Sequence, residues 1–240
     1  MENKNNLPTD GDCLLQKKIN VYRFGSCRTN YLRIKDDINT NNNLGGNFTH
    51  TTKEVIQQIK MLNNEINIHE CEYPKCFTKY ISESENYKRM YNDADVILIE
   101  LSSIKETIDN AGFYYNIVEL MRHYNPKEVP TKYVCQKATL EDVKNDISII
   151  KSMINKPIIF QGHINMNFIN NTSKVSNRQL IDEAISNELN LTYENIFGDD
   201  KEKVCARKED GSISTNHITK YAYDELYKNF VKILKENNLY

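Results

Sequence analysis

The chain has 240 residues, enough for one domain that buries roughly 70–75% of the surface its unfolded form exposes. Its 31 basic and 33 acidic residues leave a net charge of -2, which excludes the basic surplus of a general nucleic-acid binder. The longest apolar runs, Val96 to Ile99 and Pro157 to Phe160, fall far short of the roughly 20 residues a membrane span needs. Neither nucleic acid nor membrane is therefore expected as a partner.

Residues 1–17 are rich in Asn, Lys and Asp, carry no apolar stretch of signal-peptide length, and read as a flexible lead into a single domain spanning 18–240. Six cysteines spread thinly through the chain read as reduced thiols, so a cytoplasmic location is expected. The 32 Asn, 27 Ile and 24 Lys against 7 Arg follow AT-rich codons, as in an AT-rich bacterium, a protist or a large virus. For a virus the compartment would be the host cytoplasm.

Short β-like runs alternate with helical patterns from end to end, which predicts an α/β fold with a mainly parallel sheet and helices on its faces. The first strand is Lys18 to Phe24, ending at Gly25, and a helix starts within Ser26-Cys27-Arg28-Thr29. Asn41 to Asn47, with Gly45 and Gly46, is a loop by composition. Thr51 and Glu54 form a capping-box pattern ahead of Val55, Ile56, Ile59 and Leu62 at helical spacing. Residues 79–92 read as a polar helix, and Val96 to Leu101 is the clearest strand, ending in Ser102-Ser103. Residues 112–124 and 139–154 read as helices, and Pro157 to Phe160 is a strand ending at Gln161-Gly162-His163. Ser176 and Gln179 cap the next helix; a polar stretch, 199–216, then leads to a last helix whose inward face is Tyr223, Leu226, Tyr227, Phe230, Ile233 and Leu234.

In an open α/β sheet the ligand sits outside the carboxyl ends of the strands, which singles out Ser26, Cys27, Ser102, Ser103 and His163. Cys27 falls in a first helical turn, where unpaired N–H groups and the positive end of the helix dipole favour a thiolate. The bland reading is a cysteine packed as a small hydrophobe. His217 lies in a polar loop just ahead of the last helix, a placement that suits a general base. Arg28 is placed either to pair an anionic group bidentately or to stand as a solvated charge at a helix start, and His163 either to contact substrate or to serve as a satisfied structural histidine. His69, Cys71 and Cys76 have metal-ligand types but lack a second pair at zinc spacing, so neither metal nor cofactor is expected.

Phe24-Gly25-Ser26-Cys27-Arg28-Thr29 resembles the F-G-D-S-x-T first block of the SGNH (GDSL-like) hydrolases. Asn216-His217-Ile218-Thr219 resembles their last block, Leu44-Gly45-Gly46 their second-block glycine, and Ala94 to Ser103 their third strand. A variant branch with G-S-C in the first block, associated with polysaccharide biosynthesis, is the most similar. The resemblance implies a flavodoxin-like, three-layer α/β/α sandwich and an esterase or acyltransferase acting on a carbohydrate or small ester. The family's serine aligns with Cys27, its preceding Asp with Ser26, its third-block Asn with Ile104, and the Asp ahead of its His with Ser214. What remains is a Cys27–His217 dyad, with Ser26 as the other candidate nucleophile and Asp210 or Glu209 as the carboxylate nearest in sequence to the imidazole. The implied oxyanion donors are the N–H of Cys27, the N–H of Gly45 or Gly46, and the hydroxyl of Ser102 or Ser103. The alternative is a catalytically silent module of the same fold that binds a glycan or protein partner.

Overall fold

The computed structural model describes residues 18–33, 35–40, 48–68, 84–123, 132–164, 177–198, 201–211 and 213–239. In chain order the strands are β1 (Ile19–Phe24), β2 (Ile38–Thr40), β3 (Val96–Glu100), β4 (Lys105–Asp109), β5 (Tyr133–Lys137), β6 (Ile158–Gln161), β7 (Asn190–Leu191), β8 (Cys205–Arg207) and β9 (Ile213–Ile218). The helices are α1 (Thr52–Leu62), α2 (Ser84–Asn92), α3 (Ile117–His123), α4 (Leu140–Met153), α5 (Asn177–Ile185), α6 (Tyr193–Phe197), α7 (Lys201–Val204) and α8 (Lys220–Glu236), with a 3-10 helix at Cys27–Leu32. The central sheet is fully parallel, in the order β2-β1-β3-β6-β7.

Parallel strands covered on both faces need apolar side chains on both, hence the unbroken run Val96-Ile97-Leu98-Ile99 in the middle of the sheet. Successive residues feed opposite cores. Tyr22, Phe24, Ile97, Ile99 and Phe160 pack with α1, α2, α4 and α5, whereas Val21, Val96, Leu98 and Ile159 pack with the 3-10 helix, α6 and α8. The result is a three-layer α/β/α arrangement, as the alternating pattern predicts. Helix α8 seals the second face with Ala222, Leu226, Phe230 and Leu234, a four-residue repeat that lies along one stripe of a helix.

Several elements depart from expectation. The helix expected over 112–124 begins only at Ile117, because 109–115 is a turn wound on one carboxylate, and residue 124 lies outside the described residues. Asp109 Oδ1 accepts the N–H groups of Ala111 and Phe113, and its Oδ2 accepts the Tyr115 hydroxyl. That turn follows β4, which pairs antiparallel with β5, two strands absent from the sequence reading. Residues 199–216 are likewise not a loop throughout, since β8 and β9 pair antiparallel there. His217 therefore belongs to a strand rather than to a loop free to swing. At the start of α1, Thr51 Oγ1 accepts the Glu54 N–H, but the Glu54 carboxyl turns to the His50 N–H instead of closing the capping box on Thr51.

The hairpin turn is fastened to α1 by one side chain. Gln57 accepts the Tyr114 N–H and donates to the Tyr114 carbonyl, both at 2.7 Å. Gln57→Ala orphans both backbone groups at once, and is expected to cost roughly 2 kcal/mol in chemical denaturation and to speed amide exchange at Tyr114.

Candidate functional site

The chain leaves β1 towards β2 on one side and returns to β3 on the other, so the connections after β1 and β3 part in opposite directions. A crevice opens at such a switch point, and here its two lips are Ser26-Cys27 and Leu101-Ser102-Ser103. Cys27 opens the 3-10 helix and is half-buried with a free thiol. Its N–H makes no hydrogen bond with any described residue. Its carbonyl accepts the Tyr223 hydroxyl at 3.4 Å, which ties the first turn of α8 to the lip.

Ser26 is in a different condition. It caps the 3-10 helix and is 5% exposed. Its hydroxyl donates to Glu100 Oε2 at 2.6 Å while accepting Arg28 Nη1 at 2.5 Å, and its N–H donates to the same Glu100 oxygen at 2.6 Å. Arg28 Nη1 also reaches Glu100 Oε1 at 3.3 Å, with both side chains buried. Glu100 closes β3, where the alternation turns its side chain to the α8 face, and Gln161 is its partner in register on β6. The outermost layer of that otherwise apolar face is thus polar. Arg23 donates to Thr29 Oγ1 at 2.7 Å, the Tyr31 hydroxyl donates to Gln161 Oε1 at 3.0 Å, and Tyr193 lies fully buried alongside. Burial lowers the Arg23 guanidinium to about 10 and drives the Tyr31 and Tyr193 phenols far above their usual range.

Two imidazoles face this layer from the crevice side. His163, just beyond β6, is 1% exposed, and its Nδ1 lies 3.0 Å from the Ile164 carbonyl, an oxygen that also accepts Arg178 Nη1. A carbonyl cannot donate, so Nδ1 carries the proton and Nε2 the lone pair. Burial, with Arg28 and then Arg178 nearby, lowers His163 to about 2, which keeps it neutral. His50 sits in the segment before α1, and its carbonyl accepts the N–H groups of both Ser102 and Ser103 at 2.9 Å. Glu54, whose carboxyl burial raises to about 8, holds the His50 N–H at 2.8 Å. The His50 imidazole is lowered by burial, and the attraction of Glu100 is opposed by Arg28 and Arg178.

The structure thus gathers Ser26, Cys27, Arg28, Ser102, Ser103 and His163 at one end of the sheet. The Ser102 hydroxyl has no partner among the described residues, and Ser103 Oγ accepts the Lys105 N–H. His217 is exposed on β9, with its N–H held by Ser214 Oγ at 3.1 Å, and makes no hydrogen bond to Cys27. Asp210 and Glu209 lie exposed in the β8–β9 turn, unbonded to that imidazole. Gly45, Gly46, Ser176, His69, Cys71, Cys76 and the 1–17 lead lie outside the described residues. Among the described residues no three His, Cys, Asp or Glu side chains are grouped to hold a metal ion, and no helix is long and apolar enough to cross a membrane. Cavities of about 540 and 410 Å³ flank Phe113 on the hairpin side, lined by none of the residues singled out as catalytic.

Sequence reasoning missed Glu100, His50 and Arg178. Glu100 did leave a signal: a carboxylate ending a strand that is apolar and buried throughout must find a partner. Residues 19–132, just under half of the chain, match the family described as the TviD N-terminal domain. No curated protein and no solved structure matches the chain.

Proposed function

We propose that the chain is an SGNH-like esterase or acyltransferase that acts on a carbohydrate or small ester through Cys27. The observation that carries this reading is the difference between the two neighbours at the switch point. Ser26 is buried with its hydroxyl committed to Glu100 and Arg28, whereas Cys27 is half-exposed in the first helical turn with an unused N–H. The match over 19–132 to a family related to Vi polysaccharide biosynthesis suggests a role in polysaccharide biosynthesis and favours a sugar as one reactant.

In this reading the Cys27 thiolate attacks the ester carbonyl, forming a C–S bond. The C–O bond breaks and the leaving alkoxide takes the proton that His217 removed from the thiol. Water or a sugar hydroxyl then attacks the thioester and passes its proton to His217, and the sulfur leaves as thiolate. The Cys27 N–H and the Ser102 hydroxyl receive the developing oxyanion. Tyr223, in the first turn of α8, bonds the Cys27 carbonyl, and β9 ends just before that helix, which supports assigning the base to the β9 end of the chain.

Iodoacetamide is expected to label Cys27, and Cys27→Ala to abolish turnover of p-nitrophenyl acetate and acetylated sugars. His217→Ala should lower turnover by about 10²–10⁴. An active Cys27→Ala variant, or a fluorophosphonate adduct on Ser26, overturns the assignment. Sugar binding without turnover, with Cys27 unreactive, would instead support the silent glycan-binding module.

A further inference from the structure

The polar layer beneath the crevice is richer in donors than in acceptors. Among the described residues, Arg28 Nε, Gln161 Nε2 and the Tyr193 hydroxyl have no hydrogen-bond partner, although each of the three side chains is more than nine-tenths buried. Glu100 is already engaged, its Oε2 by the N–H and O–H of Ser26 and its Oε1 by Arg28. A buried donor left unmade costs roughly 1–3 kcal/mol, so three gathered at one strand end signal something absent from the free chain.

The charges agree with the hydrogen bonds. Arg178, at the start of α5, is half-buried and forms the wall of this layer that solvent reaches. It meets the β6 end through the Ile164 carbonyl that it shares with His163. Arg28 is the charge that opposes it most, with Glu100 and Asp182 on the attractive side. Both imidazoles are held neutral in surroundings where the guanidiniums resist any further positive charge. Oxygen acceptors that bring negative charge would satisfy both deficits, and guanidiniums grip planar or tetrahedral oxyanions better than any other side chain does.

We infer that Arg28 and Arg178, with Gln161 and Tyr193, form a subsite for an anionic group of the substrate, a carboxylate or a phosphate. This rests on the crevice being the substrate site, and it narrows the substrate to one whose anionic group lies close to the acyl group transferred at Cys27. His163 Nε2 and the His50 ring lie near the same guanidiniums and, being neutral, admit an anion that a carboxylate in their place would repel.

Binding of inorganic phosphate, glucuronate and glucose to the full chain carrying Cys27→Ala, followed by calorimetry at low salt, separates the two claims because no turnover is involved. Phosphate or glucuronate should bind and glucose should not, the tighter of the two anions identifying the group. Arg178→Gln should weaken that binding at least about tenfold, with Arg178→Lys recovering part of it. Should Arg178→Gln fail to fold, the His163 and His50 ring resonances decide, because an anion in the subsite must shift them. Absence of anion binding, equal binding of glucose, binding indifferent to Arg178→Gln, or unmoved imidazole resonances each overturn the subsite. Anion binding intact in a chain with no esterase or transferase turnover would retain the subsite and discard the acyl-transfer chemistry.

Discussion

Glu100→Ala is expected to remove about 3–5 kcal/mol of stability, the range for breaking one half of a buried ion pair. Glu100 is 0% exposed and three donors converge on its two oxygens: the Ser26 N–H, the Ser26 hydroxyl and Arg28 Nη1. Truncation leaves a guanidinium 7% exposed with no counter-charge and a buried N–H with no acceptor. Glu188→Ala provides the contrast. It breaks the Lys151–Glu188 pair, whose side chains are 50% and 21% exposed, and a pair so well hydrated contributes about 0–1 kcal/mol. Urea denaturation of the two variants side by side tests the difference, and a Glu100→Ala loss no larger than that of Glu188→Ala would show the polar layer to be hydrated. For a domain holding about 5–15 kcal/mol in total, the expected loss endangers folding at physiological temperature. Glu100→Gln, which keeps the shape and one acceptor, should fall between the two.

The same physics explains what could be read from the chain. Strands buried on both faces must be apolar at every position, so Val96 to Ile99 and Ile158 to Phe160 declare themselves, and helix α8 shows a full four-residue stripe. The β4 and β5 sequences, Lys-Glu-Thr-Ile-Asp and Tyr-Val-Cys-Gln-Lys, form a two-stranded pair outside the main sheet, with β5 largely exposed, so burial imposes no alternation on them. β2 and β7, at three and two residues, are too short for any period to register. The lip of the site was legible because Gly25-Ser26-Cys27 joins a strand to a helix within three residues. Ser102, Ser103 and His163 were legible as the ends of the expected strands. His50, Glu100 and Arg178 were not, because they come from three separate places in the chain whose adjacency exists only once the order β1-β3-β6 is known. Sequence spacing carries no information about that order, whereas the carboxylate at the end of β3 does at least announce that some partner must be near.

The second large effect comes from Gly25, whose substitution is expected to cost roughly 3–5 kcal/mol and to disable the site together with the fold. Its φ is +139°, a region that side-chain-bearing residues enter only at a cost of about 1–3 kcal/mol. Space is lacking as well. A Cβ placed there would lie 2.6 Å from the Glu100 Cβ and 3.0 Å from its Oε2. Glu100 cannot retreat, being held by Ser26 and Arg28, so the overlap adds about 1–3 kcal/mol of overpacking. Gly112→Ala isolates the backbone contribution, because Gly112 also has positive φ, +87°, but nothing lies within 4 Å of its would-be Cβ. The excess of Gly25→Ala over Gly112→Ala in denaturant unfolding therefore measures the close approach of β1 to β3, and equal losses would refute it. Glu100→Ala should not rescue Gly25→Ala, since the clashing Cβ remains in alanine, whereas Glu100→Gly removes that atom. Recovery of the overpacking share in the Gly25→Ala, Glu100→Gly pair, measured as a double-mutant coupling, would locate the strain at this one contact.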